Sequence, residues 1–344
     1  MKITILDDFH DTVRTLQCFG RLEQHAVRIW HEHTKDLDVL AERLKDTEAL
    51  VLIRERTPVQ AQLIERLPRL KLISQRGPFP HIDLEACTRQ GVVVSSNQLL
   101  AEPSYATAEL TWALVLMALR DIPNQMAALR AGNWQAGVGR CLRGKKLGIF
   151  AYGQIGSVVA AYGKAFGMQV EAWGRADSLE RARAAGYRVA PSKESFFEDC
   201  DVISLHLPLN QETRGIVTAA DLRRMRPYSA LVNTSRAGLM GSGMLEEALR
   251  AGRPGMAALD VYEEEPLTNV HHPLLNMTNV IATPHIGYVE RDAYESQFAD
   301  IFEQIIAFDQ GRPINVVNPA VLVQRSWPMS RGTATEIGLG TDQV

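Results

Sequence analysis

The run GIFAYGQIG, Gly148 to Gly156, decides how this chain is read. A short apolar strand, KLGIFA, leads into glycines spaced as in a dinucleotide-binding turn, and an apolar helix-like segment, SVVAAYGKAF, follows. In such a turn the first glycine permits a tight bend. The second lets the backbone approach a pyrophosphate, and the third lets helix pack on strand. Gly153 and Gly156 fill the second and third places, but Ala151 stands in the first. Alanine is tolerated there if its φ stays negative, because the steric cost of a Cβ arises mainly at positive φ. The phosphates would then rest on the amides of Gln154 and Ile155, at the start of the helix. The bland alternative is an ordinary strand-to-helix turn.

The same alternation extends in both directions. KITILD, ALVLI, LKLIS and GVVVSS come before the turn; QVEAW, DVISLHL, SALVNTS, GMAALDV and NVIATPH come after it. Helix-like segments such as SLERARAAG and MLEEALRAG lie between them. Continuous apolar strands separated by helices indicate parallel sheets covered on both faces. A long apolar helix from about Leu99 to Arg120 and the amphipathic segment Arg291–Asp309 read as crossings between two α/β domains. The first domain is expected to hold residues 1–98 plus the return 290–319, and the second residues 99–289. The tail 320–344 lacks an apolar period and is expected to be loosely ordered.

Composition narrows the function. The 344 residues are 46% hydrophobic and 22% charged, with a formal net charge of −3. No global basic field suggests nucleic acid or an anionic membrane as a partner. The N-terminus turns acidic before a signal-peptide core could form, and the longest apolar run, Leu110 to Leu119, is too short to span a bilayer. The four scattered cysteines fit a reducing, cytoplasmic compartment and no metal site.

At the end of the strand QVEAW an acid would normally meet the adenosine ribose. Gly174 and Arg175 stand there instead. Glycine removes the carboxylate that would repel a 2′-phosphate and arginine can pair with one, so the site takes NAD or NADP with a lean to NADP. Otherwise Arg175 is a solvated surface residue. Trp173 either flanks an adenine or belongs to the core.

Three residues just past later strands carry the sharper signal: Arg236 in LVNTSRAG, Glu265 in ALDVYEEEP and His285 in VIATPHIGY. Ligands of open α/β sheets collect beyond the carboxyl ends of the strands. A histidine can give a proton to a carbonyl oxygen as hydride reaches the carbon, a carboxylate behind it stabilises the imidazolium, and an arginine fork grips a substrate carboxylate. Each alone has a structural reading as a packed or surface loop residue.

With these motifs in order, the chain to about Pro319 resembles the D-isomer-specific 2-hydroxyacid dehydrogenases, in the phosphoglycerate dehydrogenase-like branch. The motifs are the glycine turn, ISLHLPL, LVNTSRAG, AALDVYEEEP and TPHIGY. The resemblance implies two Rossmann-like, doubly wound parallel-sheet domains: a flavodoxin-like substrate domain and an NAD(P)-binding domain. It implies a homodimer and a small 2-hydroxy or 2-oxo acid substrate. The family's substrate-binding, His-supporting and acid/base roles fall on Arg236, Glu265 and His285. Asp260 resembles the residue that meets the nicotinamide carboxamide, and Thr107, His206, Pro208, Thr213 and Thr234 lie on cofactor-contacting stretches. ISQRGPFPHID resembles the substrate loop, where the N–H of Gly77 would reach the substrate carboxylate. Arg54 and Arg76 either favour an acidic substrate or form surface salt bridges. GSG at Gly241–Gly243 replaces an acidic helix start, with Ser242 as a candidate N-cap. Glu265, where formate dehydrogenases of the superfamily carry glutamine, argues against formate. No regulatory domain is read after residue 319. A dinucleotide-sensing protein of the corepressor type is the alternative to an enzyme.

Overall fold

Twelve strands carry the architecture of the computed structural model, which describes residues 1–98 and 105–324. The chain divides into two units: Met1–Leu100 with Tyr294–Val344, and Ala101–Ala293. In unit 1 the strands are β1 (Lys2–Ile5), β2 (Ala26–Ile29), β3 (Ala49–Val51), β4 (Leu72–Arg76) and β5 (Val93–Asn97). They pair in parallel in the order β2-β1-β3-β4-β5, the flavodoxin-like order. Unit 2 holds β6 (Lys146–Phe150), β7 (Gln169–Trp173), β8 (Arg188–Val189), β9 (Val202–Leu205), β10 (Ala230–Asn233), β11 (Met256–Leu259) and β12 (Val280–Ala282). Their order is β12-β11-β10-β9-β6-β7-β8, again all parallel. The direction of winding reverses between β6 and β9, which makes that junction the crevice for a nucleotide.

The central strands form because their apolar runs are buried on both faces. Every residue of β3, β9 and β10 is buried. β2 and β8 escape the sequence reading for the opposite reason: they are edge strands, β2 alternates exposed and half-buried residues, and β8 has two residues.

The helix Tyr105–Arg120 belongs to unit 2 and packs on β10, β11 and the helix Gln154–Ala165. The six positions before Tyr105, where the sequence reading began this helix, lie outside the described residues. The helix Arg291–Asp309 returns the chain to unit 1. Its Ile301 carbonyl accepts a hydrogen bond from Ser74 Oγ, and Gln304 Nε2 donates to the Gln75 carbonyl at 3.0 Å. The return then lies along β5. Val94 N–H donates to Asn318 Oδ1 and Ser96 N–H to the Asn315 carbonyl, both at 2.9 Å. The start of the expected tail is instead a short helix, Ala320–Gln324, that buries Val321 fully. The rest of that tail lies outside the described residues. Among the described residues no helix is long and apolar enough to cross a membrane.

Candidate active site

The turn after β6 departs from the expected backbone. Ala151 has φ 75°, in the left-handed region, not the negative φ that would make alanine harmless. A Cβ there costs about 1–2 kcal/mol. Hydrogen bonds hold it in place: Ala151 N–H donates to the Trp173 carbonyl at 2.7 Å, Gly153 N–H to the Ala151 carbonyl at 3.0 Å, and Tyr152 N–H to Ser178 Oγ at 2.7 Å. Gly156 must be glycine, because a Cβ would lie 2.4 Å from the Ala151 carbonyl oxygen. Gly153 caps the helix with no side-chain cap, and open space surrounds the place its Cβ would take. The first-turn amides after it, on Gln154 and Ile155, have no acceptor one helical turn back.

Across the crevice, His206 follows β9. Burial pushes its imidazole down to about 4, so the ring is neutral, and its buried Nε2 has no partner in the protein. An uncapped helix start, an open glycine and an orphaned ring nitrogen at the switch point fit a dinucleotide.

The threonines serve as scaffold. Thr213 Oγ1 donates to the Pro208 carbonyl at 2.6 Å, closing the loop. Thr234 shares a 2.7 Å hydrogen bond with Thr111, and Thr107 donates to the Gly287 carbonyl at 2.9 Å. Trp173 packs against the core around Phe150, taking the core alternative. Arg175 is not simply solvated: its guanidinium lies 3.4 Å from Glu212, both side chains exposed.

The strongest convergence is at the ends of β10, β11 and β12. His285 Nδ1 lies 2.6 Å from Glu265 Oε2. An ionised carboxylate only accepts, so Nδ1 carries the proton of this bond and Nε2 is left for exchange. Glu265 Oε1 accepts the Tyr262 N–H at 2.9 Å. Burial acts to raise the Glu265 carboxyl, but the His285 hydrogen bond and charge, the Tyr262 amide and the charge of Arg236 together hold it below its usual range. The backbone of Arg236 is fixed by Asn233, whose Nδ2 donates to the Arg236 carbonyl at 3.0 Å.

His285 itself has φ 53°. Asp260, 1% exposed, braces this loop from below. Its Oδ1 accepts from Thr283 Oγ1 at 2.7 Å and Ile286 N–H at 2.8 Å, and its Oδ2 accepts from Gly287 N–H at 2.9 Å. Burial raises the Asp260 carboxyl, and these hydrogen bonds oppose the shift. The sequence reading gave Asp260 only a cofactor contact and missed this clamp, along with Thr283, Tyr262 and Ser178. TPHIGY offered one clue: a hydroxyl two residues before the histidine.

Two further sequence expectations, at Gly77 and Ser242, are corrected, and an open alternative at Arg76 is decided. The Gly77 amide is not free for a substrate, because it donates to the Asn97 carbonyl at 2.9 Å and continues the β4–β5 ladder. Its φ of 88° still requires glycine. Arg76 takes the salt-bridge alternative, with Nε 3.2 Å from Asp300 and Nη1 donating to Ser296 Oγ at 3.0 Å. Ser242 is not the N-cap of the helix Met244–Arg250. Gly243 occupies that place, while Ser242 Oγ donates to Glu263 at 2.6 Å. Glu263 also accepts the Gly243 N–H at 3.3 Å, and Glu246 and Glu247 supply acids in the first turn of the helix. Arg54, with φ 60°, brings Nη1 to 4.0 Å from the Cβ position of Gly77.

Comparison with known proteins agrees with this geometry. The family model of the D-isomer specific 2-hydroxyacid dehydrogenase NAD binding domain matches residues 112–287. A glyoxylate reductase of Aeropyrum pernix is 37% identical over 317 residues, 88% of this chain and 92% of that protein. A D-3-phosphoglycerate dehydrogenase of Methanocaldococcus jannaschii is 35% identical over 323 residues, 92% of this chain but 59% of that longer protein. The crystal structure of a D-3-phosphoglycerate dehydrogenase oxidoreductase from Ralstonia solanacearum, so described provisionally, superposes with a TM-score of 0.90 at 51% identity, covering 93% of this chain and 98% of the other. The fold and the nucleotide crevice define an NAD(P)-dependent oxidoreductase. The chain belongs to the D-isomer-specific 2-hydroxyacid dehydrogenase family, of the phosphoglycerate dehydrogenase-like kind.

Proposed function

We propose that the protein reduces a small 2-oxo acid to its D-2-hydroxy acid, and catalyses the reverse reaction, with His285 as acid/base. The observation that carries this reading is the 2.6 Å Glu265–His285 pair at the carboxyl ends of neighbouring strands. Bound NAD(P) supplies the hydride chemistry. His285 Nε2 gives its proton to the carbonyl oxygen in reduction and takes it back from the hydroxyl in oxidation. Glu265 keeps Nδ1 protonated and stabilises the imidazolium. Arg236 binds the substrate carboxylate and polarises the carbonyl. The N-terminal amides of the helix Gln154–Ala165 would hold the pyrophosphate, with Gly153 giving close access and His206 offering Nε2 from β9.

Two features favour NADP. Position 174 has no acid, and the Arg175–Glu212 pair is exposed, so a 2′-phosphate can replace Glu212 at little cost. A homodimer is supported by the helix Ile122–Arg130, which buries none of its residues fully and exposes Met126 and Leu129, and by the exposed Trp134 and Val138 that follow it. A cytoplasmic location is consistent with four free cysteines.

The test is oxidation of NADH and of NADPH at 340 nm with glyoxylate, hydroxypyruvate, phosphohydroxypyruvate, pyruvate, 2-oxoglutarate and phenylpyruvate. Turnover that disappears in His285→Ala while the dinucleotide still binds supports the assignment. Dinucleotide binding with no acid reduced favours the sensor instead.

A further inference from the structure

Position 174 is crowded as well as uncharged. A Cβ on Gly174 would lie 3.2 Å from Ser178 Oγ and 3.4 Å from Ala151 Cα. The first distance is tighter than ordinary van der Waals contact, so one partner must yield. Neither is loose. Ser178 is 5% exposed, and its Oγ is the acceptor for Tyr152 N–H at 2.7 Å, so turning the hydroxyl away strands a backbone donor. Ala151 Cα is backbone, tied to the end of β7 by its N–H bond to the Trp173 carbonyl. The alanine in the turn, the serine on the next helix and the glycine between them thus form one steric unit. In sequence Ala151 and Gly174 read as two unrelated departures, and Ser178 is unmarked.

We infer that Ser178 is a positioning residue that decides cofactor specificity. By anchoring the Ala151–Tyr152 turn against the end of β7, it adds a steric barrier at position 174, where a φ of 159° already disfavours a side chain, and so works against the carboxylate that would select NAD. This rests on the reading of the turn as a dinucleotide site. The missing acid is then a consequence of how the turn is built, and Arg175 is the first side chain beyond β7 able to meet the ribose.

The experiment is fluorescence titration of NADH and NADPH with the full chain, which needs no substrate. Gly174→Ala adds a Cβ without charge and is expected to weaken both cofactors about tenfold. Ser178→Ala is expected to loosen both equally, leaving their ratio unchanged. In the Ser178→Ala background Gly174→Ala is expected to cost less affinity than it does in the wild type, the φ of 159° keeping part of the cost. Gly174→Asp with Ser178→Ala is expected to move the ratio toward NADH by at least about tenfold. Native-like binding by Gly174→Ala overturns the inference, as does a double alanine variant in which Gly174→Ala costs as much as it does beside Ser178, since removing Oγ takes away the tightest contact. Wild-type protein that binds neither dinucleotide overturns the underlying reading instead.

Discussion

Ala151 and His285 both follow strands of unit 2, and both are non-glycine residues with left-handed backbone, at φ 75° and 53°. Their supports differ. His285 is flanked by three groups, Thr283 Oγ1, Ile286 N–H and Gly287 N–H, that converge on one buried carboxylate. Ala151 is held by bonds to three separate places: its own amide donates to Trp173 of β7, the next amide to Ser178, and its carbonyl accepts from the Gly153 amide. In the histidine loop the strained backbone carries the ring proposed as the acid/base. In the alanine turn the side chain does no chemistry, and a glycine would sit there more cheaply. Strain at strand ends persists wherever hydrogen bonds over-determine it, whether or not the residue needs it.

Substitutions can break or sharpen that contrast. The largest effect is expected from His285→Ala, a loss of about 10²–10⁴ in kcat/KM, read by steady-state kinetics with cofactor affinity as control. Asp260→Asn comes next. It turns one acceptor oxygen into a donor facing backbone N–H groups, and is expected to lower kcat about 10–100-fold. Cofactor dissociation should move much less; a variant that loses cofactor affinity and keeps kcat would make Asp260 a carboxamide ligand first and a clamp second. Ala151→Gly is expected to change stability the other way, raising it by up to about 1 kcal/mol as strain relief exceeds the added freedom of the unfolded chain. Thermal unfolding checks this, and a lower midpoint would mean the turn is not strained. The smallest effect is in acid. The Glu265 carboxyl lies below its usual value of 4.5 in the folded protein, so its pairing stabilises fully above that pH and fades as pH falls through the lowered value. The deficit of Glu265→Gln relative to wild type should therefore shrink as pH falls below about 4.5 in denaturant melts.

Most of the fold was legible because parallel strands buried on both faces write themselves as unbroken apolar runs. β2 and β8 were not, since an edge strand needs no such run. Arg236, Glu265 and His285 were legible as polar residues placed just past such strands. What stayed hidden was decided by partners distant in sequence. Nothing local says that Asn97 takes the Gly77 amide, that Asp300 neutralises Arg76, or that Glu263 takes the Ser242 hydroxyl. The sign of φ at Ala151 depends likewise on Trp173 and Ser178, on the neighbouring strand and helix.

The stitching of Asn315 and Asn318 onto β5 also sets an order of assembly during synthesis. A nascent chain emerges N-terminus first, and domains generally fold in that order. Here the sheet made first waits for its last partners until all of unit 2 has left the ribosome. The nucleotide-binding unit, contiguous in sequence, can close while its elder neighbour still lacks the helix Arg291–Asp309. The unit begun first is finished last.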